Sequence, residues 1–578
     1  MGRNDSDLIT QGLWFGRDAG AAFGWLSHAR TWLDRSGVLI LPPVGYAWWS
    51  AYATRRVLAE RLVATGHTVL RLDYHGTGDA PGSQWESDQF GAWHDSVRSG
   101  ARALRERGCT ELTIVGVALG ATLALELAEE LEADRVVAWH PVISGRHEAR
   151  ALGMRSIAMP DGEHVSHAGS VFATDTLSPL STLDLLEATS RPERTLVIDG
   201  PAADPLVERL ADHGADAERV EVADGEQALQ VPAEDAVVAR GIVDTVVDWI
   251  GPGTAGRTGV APGFTAGHIS PWGDGRVREE IQTLGPSDLV AVACGPAAGT
   301  AAAGTAAAGT VVMLNSGSEP HVGPGRAWVE LARTLAVHGI RSLRVDFRGW
   351  GESPDDGYAP GRPYDAHGIA DTLEIVRALQ ARGDGPIVLV GLCAGAWIAL
   401  RAILDEPVAA VIALNPQLYW QPGDPVEALL SDTRRRRAED RAVEAAGRES
   451  ERWDERDRAG ERNWAGAWLD DLAAGSTQVT MLFAEDDDGL EYLRNRLGRR
   501  LAQTIAGGRL TVTEIPGIDH AMHRAWLRPA MFAAIEDAAR TSLAPHPEPA
   551  AEREPELEPA AIIGRPKPGV RERTTLTA

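Results

Sequence analysis

The stretch "IVLVGLCAGAWIAL", residues 387–400, reads as an apolar strand, a tight turn through Gly391, Leu392, Cys393, Ala394 and Gly395, and then a helix of small and apolar residues. A residue between two glycines at such a strand-to-helix turn sits on a sharp, strained corner that presents its side chain to a crevice, the usual setting of a nucleophile. The residue on the corner is a cysteine. Earlier in the chain, "LTIVGVALGATLALEL" (112–127) has the same shape with Ala118 on the corner. One chain thus carries two such corners, one with a thiol and one with a methyl group.

The two corners belong to a longer repeat. Gly116 and Gly391 stand 275 residues apart. "GVLILPPVG" (37–45) returns as "TVVMLNSGS" (310–318), and "VLRLDYHGTGDA" (69–80) as "SLRVDFRGWGES" (342–353), each at a spacing of 273. "VVAWHPVI" (136–143) returns as "VIALNPQL" (411–418). Four matching strand ends in near-constant register predict a tandem duplication. Within each copy, short Val-rich strands alternate with helical patterns, which predicts a parallel sheet covered on both faces. The openings of the copies, "LITQGLWFG" and "EEIQTLGPSDLVAVAC", are expected to add antiparallel edge strands. The expected organisation is a first domain over 8–250, a Gly/Pro linker over 251–275, a second domain over 276–543 and a disordered tail over 544–578, rich in Pro and Glu and then basic. A long charged stretch, about 422–475, is expected to form a helical lid on the second domain.

Composition narrows the function. Of 578 residues, Lys and Arg number 56 against 82 Asp and Glu, for a net charge of −26. A chain this acidic repels nucleic acid and anionic membranes. No apolar run reaches the ~20 residues of a membrane span, and "MGRNDSDLIT" has no signal-peptide pattern, so a cytoplasmic protein is expected. Three scattered cysteines, Cys109, Cys294 and Cys393, fit neither a disulfide framework nor a metal cluster. No metal or cofactor is expected, since no Walker loop or dinucleotide glycine pattern is present.

"LNSGSEPHVGPGRAWVELAR", "RVDFRGWGESP" and "VGLCAGAWIAL" together resemble α/β-hydrolase-fold enzymes of the serine-aminopeptidase-like group. The resemblance covers both copies and implies two tandem α/β-hydrolase domains. In this fold the chain order is nucleophile, acid, base. Cys393 then stands as nucleophile, close to a helix N-terminus that favours thiolate. His520, on the turn of "RLTVTEIPGIDHAMHRAW", stands as base, with His523 as its competitor in the following helix. The acid comes from Asp486, Asp487 or Asp488 after the seventh strand, and spacing favours Asp487. The backbone N–H of Ala394 is one oxyanion donor, and Gly317 or Ser318 is expected to supply the second. His321 and Arg326 lie near enough in sequence to meet a substrate carboxylate or phosphate. A cysteine in place of the usual serine resembles dienelactone hydrolases, polyhydroxyalkanoate synthases and some assembly-line thioesterase domains. The resemblance implies an acyltransferase or thioesterase that acts through a cysteinyl acyl-enzyme on a small acyl substrate, free or carrier-bound. A simple esterase or lactonase and a non-catalytic binding or scaffold protein stand as alternatives.

The first copy reads as degenerate. Ala118 replaces the nucleophile, no histidine follows the last strand of "ERVEVADGEQALQVPAE", and prolines replace the glycine-rich loop in "LPPVGYAWWS". Asp204 stands near the acid's place. His140 and the aromatic run 46–49 are candidates for the lining of a ligand pocket.

Overall fold

The computed structural model describes residues 8–32, 35–187, 192–223, 225–231, 236–254, 259–260, 275–300, 302, 309–355, 363–420, 464–485 and 487–544. The first copy forms one eight-stranded sheet: β1 (Leu8–Phe15), β2 (Ala22–Ala29), β3 (Ser36–Leu41), β4 (Thr68–Asp73), β5 (Glu111–Val117), β6 (Arg135–Trp139), β7 (Arg194–Ile198) and β8 (Asp216–Val220). The second forms another: β9 (Val277–Leu284), β10 (Leu289–Pro296), β11 (Thr310–Met313), β12 (Arg341–Val345), β13 (Ile387–Leu392), β14 (Ala410–Leu414), β15 (Gln478–Ala484) and β16 (Leu510–Ile515). Across the first sheet the strands lie in the order β1-β2-β4-β3-β5-β6-β7-β8, and across the second in the equivalent order β9-β10-β12-β11-β13-β14-β15-β16.

Each sheet opens with an antiparallel hairpin, whose second strand pairs antiparallel with the first strand of a parallel run. The parallel strands are buried on both faces. Val311, Val312 and Met313 of β11 and Val388, Leu389 and Val390 of β13 have no exposed surface. Such strands need helices on either side, and their β-branched residues suit the pleated, covered surface. Tandem α/β sheets are therefore the observed architecture.

Both sheets belong to one compact unit ending at Leu543. Most of the predicted linker, the tail from 545 and residues 422–463 of the predicted lid lie outside the described residues. The last part of that lid stretch is core. Helix Trp464–Ala474 buries Ala465, Trp468, Leu469 and Leu472, and the Trp468 indole donates to the Leu400 carbonyl at 2.8 Å. Apolar residues at this spacing make a buried stripe.

The seam between the copies explains the single unit. The two hairpins meet face to face through Trp14, Phe23 and Trp25 from one copy and Ile281, Val290 and Val292 from the other. They approach so closely that a Cβ on Gly12 would strike the Ile281 side chain. Around this apolar patch runs a buried ionic layer with approximate two-fold symmetry. Arg71 of β4 reaches across to Glu352 at 2.5 Å, and its counterpart Arg344 of β12 reaches back to Asp79 at 2.5 Å. Arg344 and Arg333 also hold Glu279 of β9, at 3.0 and 2.8 Å. Desolvating so many charges is expensive, and only close pairing offsets it.

His321 and Arg326 belong to this seam, which corrects their assignment to a substrate. The His321 side chain is fully buried between Asp346 (2.6 Å) and Asp79 of the other copy (2.7 Å). The Arg326 guanidinium donates to the carbonyls of Gly78, Ala80 and Gly82. Both groups are committed to partners across the seam.

Burial disfavours charge on His321, yet Asp346 and Asp79 overcome this and raise its pKa from 6.5 to about 10. The imidazole is therefore an imidazolium at neutral pH, donating from both nitrogens. Because its folded-state pKa lies above its unfolded value, its contribution to stability is full below pH 6.5 and is lost as pH rises towards 10. Thermal unfolding followed over pH 6–10 is expected to show a midpoint falling through this window. In His321→Gln that fall should flatten, from a lower starting midpoint.

Candidate active site

Cys393 directly follows β13 with φ 54° and ψ −112°, and Ala118 directly follows β5 with φ 49° and ψ −118°. A non-glycine residue in this region carries strain of roughly 1–3 kcal/mol. The glycines on either side make the turn possible. A Cβ on Gly391 would strike the backbone of Gly395, and one on Gly395 would strike the Asn315 carbonyl oxygen. The strand and the next helix are thus pressed together, and the corner residue is pushed out. Cys393 is partly exposed, while Cys109 and Cys294 are buried.

Three further strand ends converge on it. After β15, Asp487 caps helix Asp488–Ala506, accepting from the Gly489 amide at 2.9 Å. Its second oxygen accepts from His520 Nδ1 at 2.7 Å. Of the three candidate acids, Asp487 therefore meets the histidine. Asp488 turns away to accept from Gln417 and Tyr419, and Asp486 lies outside the described residues. His520 follows β16 and keeps about a third of its side-chain surface exposed. His523 instead pairs with Asp519 at 3.5 Å. Burial works against a charged His520 imidazole, but the Cys393 sulfur and the Asp487 carboxylate outweigh it and hold the pKa well above its ordinary value.

Three residues that the sequence pattern does not single out complete the site. Asn415, just past β14 at φ 47°, donates to the His520 carbonyl at 2.8 Å and accepts from the Ala484 amide at 2.7 Å. It ties the histidine loop to the end of β15. The Tyr364 hydroxyl lies 3.2 Å from Cys393 Sγ and donates to Gln417 Oε1 at 2.9 Å. Gln417 Oε1 also accepts from the Trp420 indole at 3.0 Å, and the Trp420 ring stacks on Tyr364 with centroids 5.4 Å apart. Burial and the neighbouring Cys393 push the phenol pKa well above 10, so it remains a protonated donor.

The expected oxyanion loop follows β11. Its turn is closed by Glu319 N–H donating to Ser316 O, with Gly317 at φ 54°. Asn315 lies against the first turn of helix Ala394–Ala402, whose leading amides have no partners within the helix. The Ser318 hydroxyl is buried without a hydrogen bond among the described residues. Among the described residues no group of His, Cys, Asp or Glu is placed to hold a metal ion, and no helix is long and apolar enough to cross a membrane.

In the first copy the same register leaves other residues. Both His140 and its counterpart Asn415 take left-handed backbone, but His140 pairs with Asp199 at 3.1 Å. Matching β7 to β15 and the helices that follow puts Ala203 level with Asp487. Asp204, nearest to an acid in sequence, is bound to Arg219 at 2.5 Å. Trp48 and Trp49 of the aromatic run do line a cavity with Trp93 and Phe172, of about 40 Å³. At roughly 10–15 Å³ per water, it has room for about three waters.

Residues 311–535, a stretch that includes Cys393, Asp487 and His520, match the alpha/beta hydrolase family. No curated protein matches the chain. Among solved structures, similarity is found to a serine hydrolase without a lid from Xanthomonas campestris, 16% identical, covering 46% of this chain and 97% of that one with a TM-score of 0.30. A Thermus thermophilus protein is 18% identical over 47% of this chain and 100% of its own, with a TM-score of 0.31. A Pyrococcus furiosus esterase is 15% identical over 49% and 99%, with a TM-score of 0.30.

The unequal burial of the thiols has a measurable consequence. Burial raises the Cys294 pKa well above 9, and Cys109 is shielded. Iodoacetamide on the folded protein is expected to alkylate Cys393 first, as read by peptide mass spectrometry. Equal labelling of all three would contradict the geometry. The imidazole gives a second check. By NMR, His520 should titrate above pH 6.5, and Asp487→Asn should lower its midpoint, because a carboxylate that favours the imidazolium has been removed.

Proposed function

We propose that the chain is a cysteine-dependent acyl-transfer enzyme acting on an ester, lactone or thioester. The observation that carries this reading is a thiol on a strained corner, facing an imidazole whose far nitrogen is held by a buried carboxylate. The match of residues 311–535 to a hydrolase family supports the coarser reading of an α/β-hydrolase-type enzyme.

In the proposed reaction Cys393 Sγ bonds to the substrate carbonyl carbon while its proton passes to His520 Nε2. Asp487, accepting from Nδ1, fixes the tautomer and steadies the imidazolium. The carbonyl oxygen, now anionic, is met by the Ala394 N–H and by a donor from Gly317 or Ser318. Collapse expels the alkoxide or thiolate, which takes the proton from His520, and leaves a cysteinyl thioester. Water, an amine or an alcohol then attacks the thioester, giving its proton to His520, and Cys393 recovers that proton as it leaves. A thioester is more open to amines than an oxyester, which favours transfer. Ala118, Ala203 and the missing histidine give the first copy no comparable route, so we assign the chemistry to the second copy alone.

Exposure of the full chain to acyl-thioester and lactone probes should add one acyl mass, mapped to Cys393. Cys393→Ala should remove the adduct, and His520→Ala should slow its formation by several orders of magnitude, as for groups that act as a unit. Selective alkylation of Cys393 without any acyl adduct would refute acyl transfer and leave only a reactive thiol.

A further inference from the structure

A buried chain of hydrogen bonds runs from the first copy to the loop beside the Cys393 corner. It begins at Asp79, whose carboxylate takes Arg344 on one oxygen at 2.5 Å and His321 Nε2 on the other at 2.7 Å. His321 Nδ1 donates to Asp346 Oδ2 at 2.6 Å, and the His321 amide donates to Asp346 Oδ1 at 2.7 Å. The same Oδ1 accepts from Asn315 Nδ2 at 3.1 Å. Asn315 Nδ2 also donates to the Glu319 carbonyl at 3.0 Å, and its Oδ1 accepts from the Phe347 amide at 2.8 Å. Asp79, His321, Asp346 and Asn315 are all at least 98% buried. The chain closes both ends of the 315–321 loop: Asn315 at its start, against Gly395, and His321 at its end.

We propose that the first copy is a positioning domain for the Cys393 site, and that Asp79 is its contact residue, holding through His321 and Asp346 the loop that carries Gly317 and Ser318. This rests on the reading of Cys393 as an acylated nucleophile. An oxyanion donor works only where its N–H points at the developing charge, and a loop between two sheet ends has no rigidity of its own. Here the rigidity comes from a carboxylate on the other copy. An amide at position 79 cannot replace it. Both neighbours, Arg344 and the His321 imidazolium, are donors, so an asparagine must turn its NH₂ towards one of them.

Two reactions of the same sulfur separate this role from general stability. Acylation by a p-nitrophenyl ester passes through an oxyanion and needs the loop. Alkylation by iodoacetamide is a direct displacement and does not. In full-length Asp79→Asn, pre-steady-state acylation of Cys393 is expected to fall about 100-fold, the order seen on losing one oxyanion donor, with alkylation within about threefold of wild type. Gln84→Ala removes first-copy bonds to Gly325 and Glu330 across the same seam, away from Asn315, and should leave both rates near wild type. If Asp79→Asn does not fold, Asp79→Glu keeps the charge but displaces it by one methylene, and should slow acylation at least tenfold with alkylation unchanged. Acylation at the wild-type rate in whichever variant folds overturns the proposal, as does a parallel loss of both reactions. A wild-type protein that no ester acylates overturns the underlying reading of Cys393 and the proposal with it.

Discussion

The geometry of the second copy depends on one backbone constraint, the left-handed turn at residue 393. It is forced by close contact between Gly391, Gly395 and the Asn315 carbonyl, where no Cβ fits. Once strand and helix are pressed together in this way, the side chain at 393 has one direction to go. The loop after β11 is pressed against the first turn of the helix, and the ends of β14 and β15 stand alongside. The turn at Ala118 repeats the dihedrals to within a few degrees. The strain is therefore a property of the fold, and it persists where no reactive group makes use of it.

The second constraint is electrostatic. Charges buried at the seam cannot be left by one partner without exposing the other, because an unpaired buried ion costs about 3–5 kcal/mol. The pairs are reciprocal, Arg71 with Glu352 and Arg344 with Asp79, so each copy supplies the counter-charge for an arginine that the other buries. The symmetry breaks where it matters for the site. Asp73 accepts from the Trp48 indole, whereas Asp346 holds the His321 imidazolium. An imidazolium has two donors and can bridge to a second carboxylate. An indole has one, and the bridge to the other copy is made on one side only.

Much of this is legible in the residues. The repeat spacing aligns the strand ends, period and burial point to the parallel sheets, and the hairpins follow from the opening segments of each copy. Cys393 is legible because a strand end flanked by two glycines, with a helix of small residues directly after it, is what a strained corner requires. His321 and Arg326 mislead because their partners lie some 240 positions away in sequence, on Asp79 and the Gly78–Gly82 loop. Proximity in sequence to a presumed site says nothing about what folds against a side chain. Tyr364 and Gln417 escape for the converse reason. Each is ordinary in its local stretch, and only the convergence of loops brings the phenol to the sulfur. Asn415 does carry a signal: it stands between a strand and a proline, at the position that His140 fills in the first copy.

These constraints together account for a first copy that keeps the fold while its corner and acid positions differ from those of the second. At Ala118 and Ala203 the first copy holds methyl groups where the second has a thiol and a carboxylate, and both pack within its own core, Ala203 fully buried, with no group of the second copy opposite them. At Asp79, Arg71 and Gly12 a change would be felt at once across the seam, as an unpaired charge or a steric clash. The residues a domain can lose and those it must keep are thus divided by what lies opposite them. In the first copy, what lies opposite the retained residues is the second copy's sheet and the loop beside Cys393.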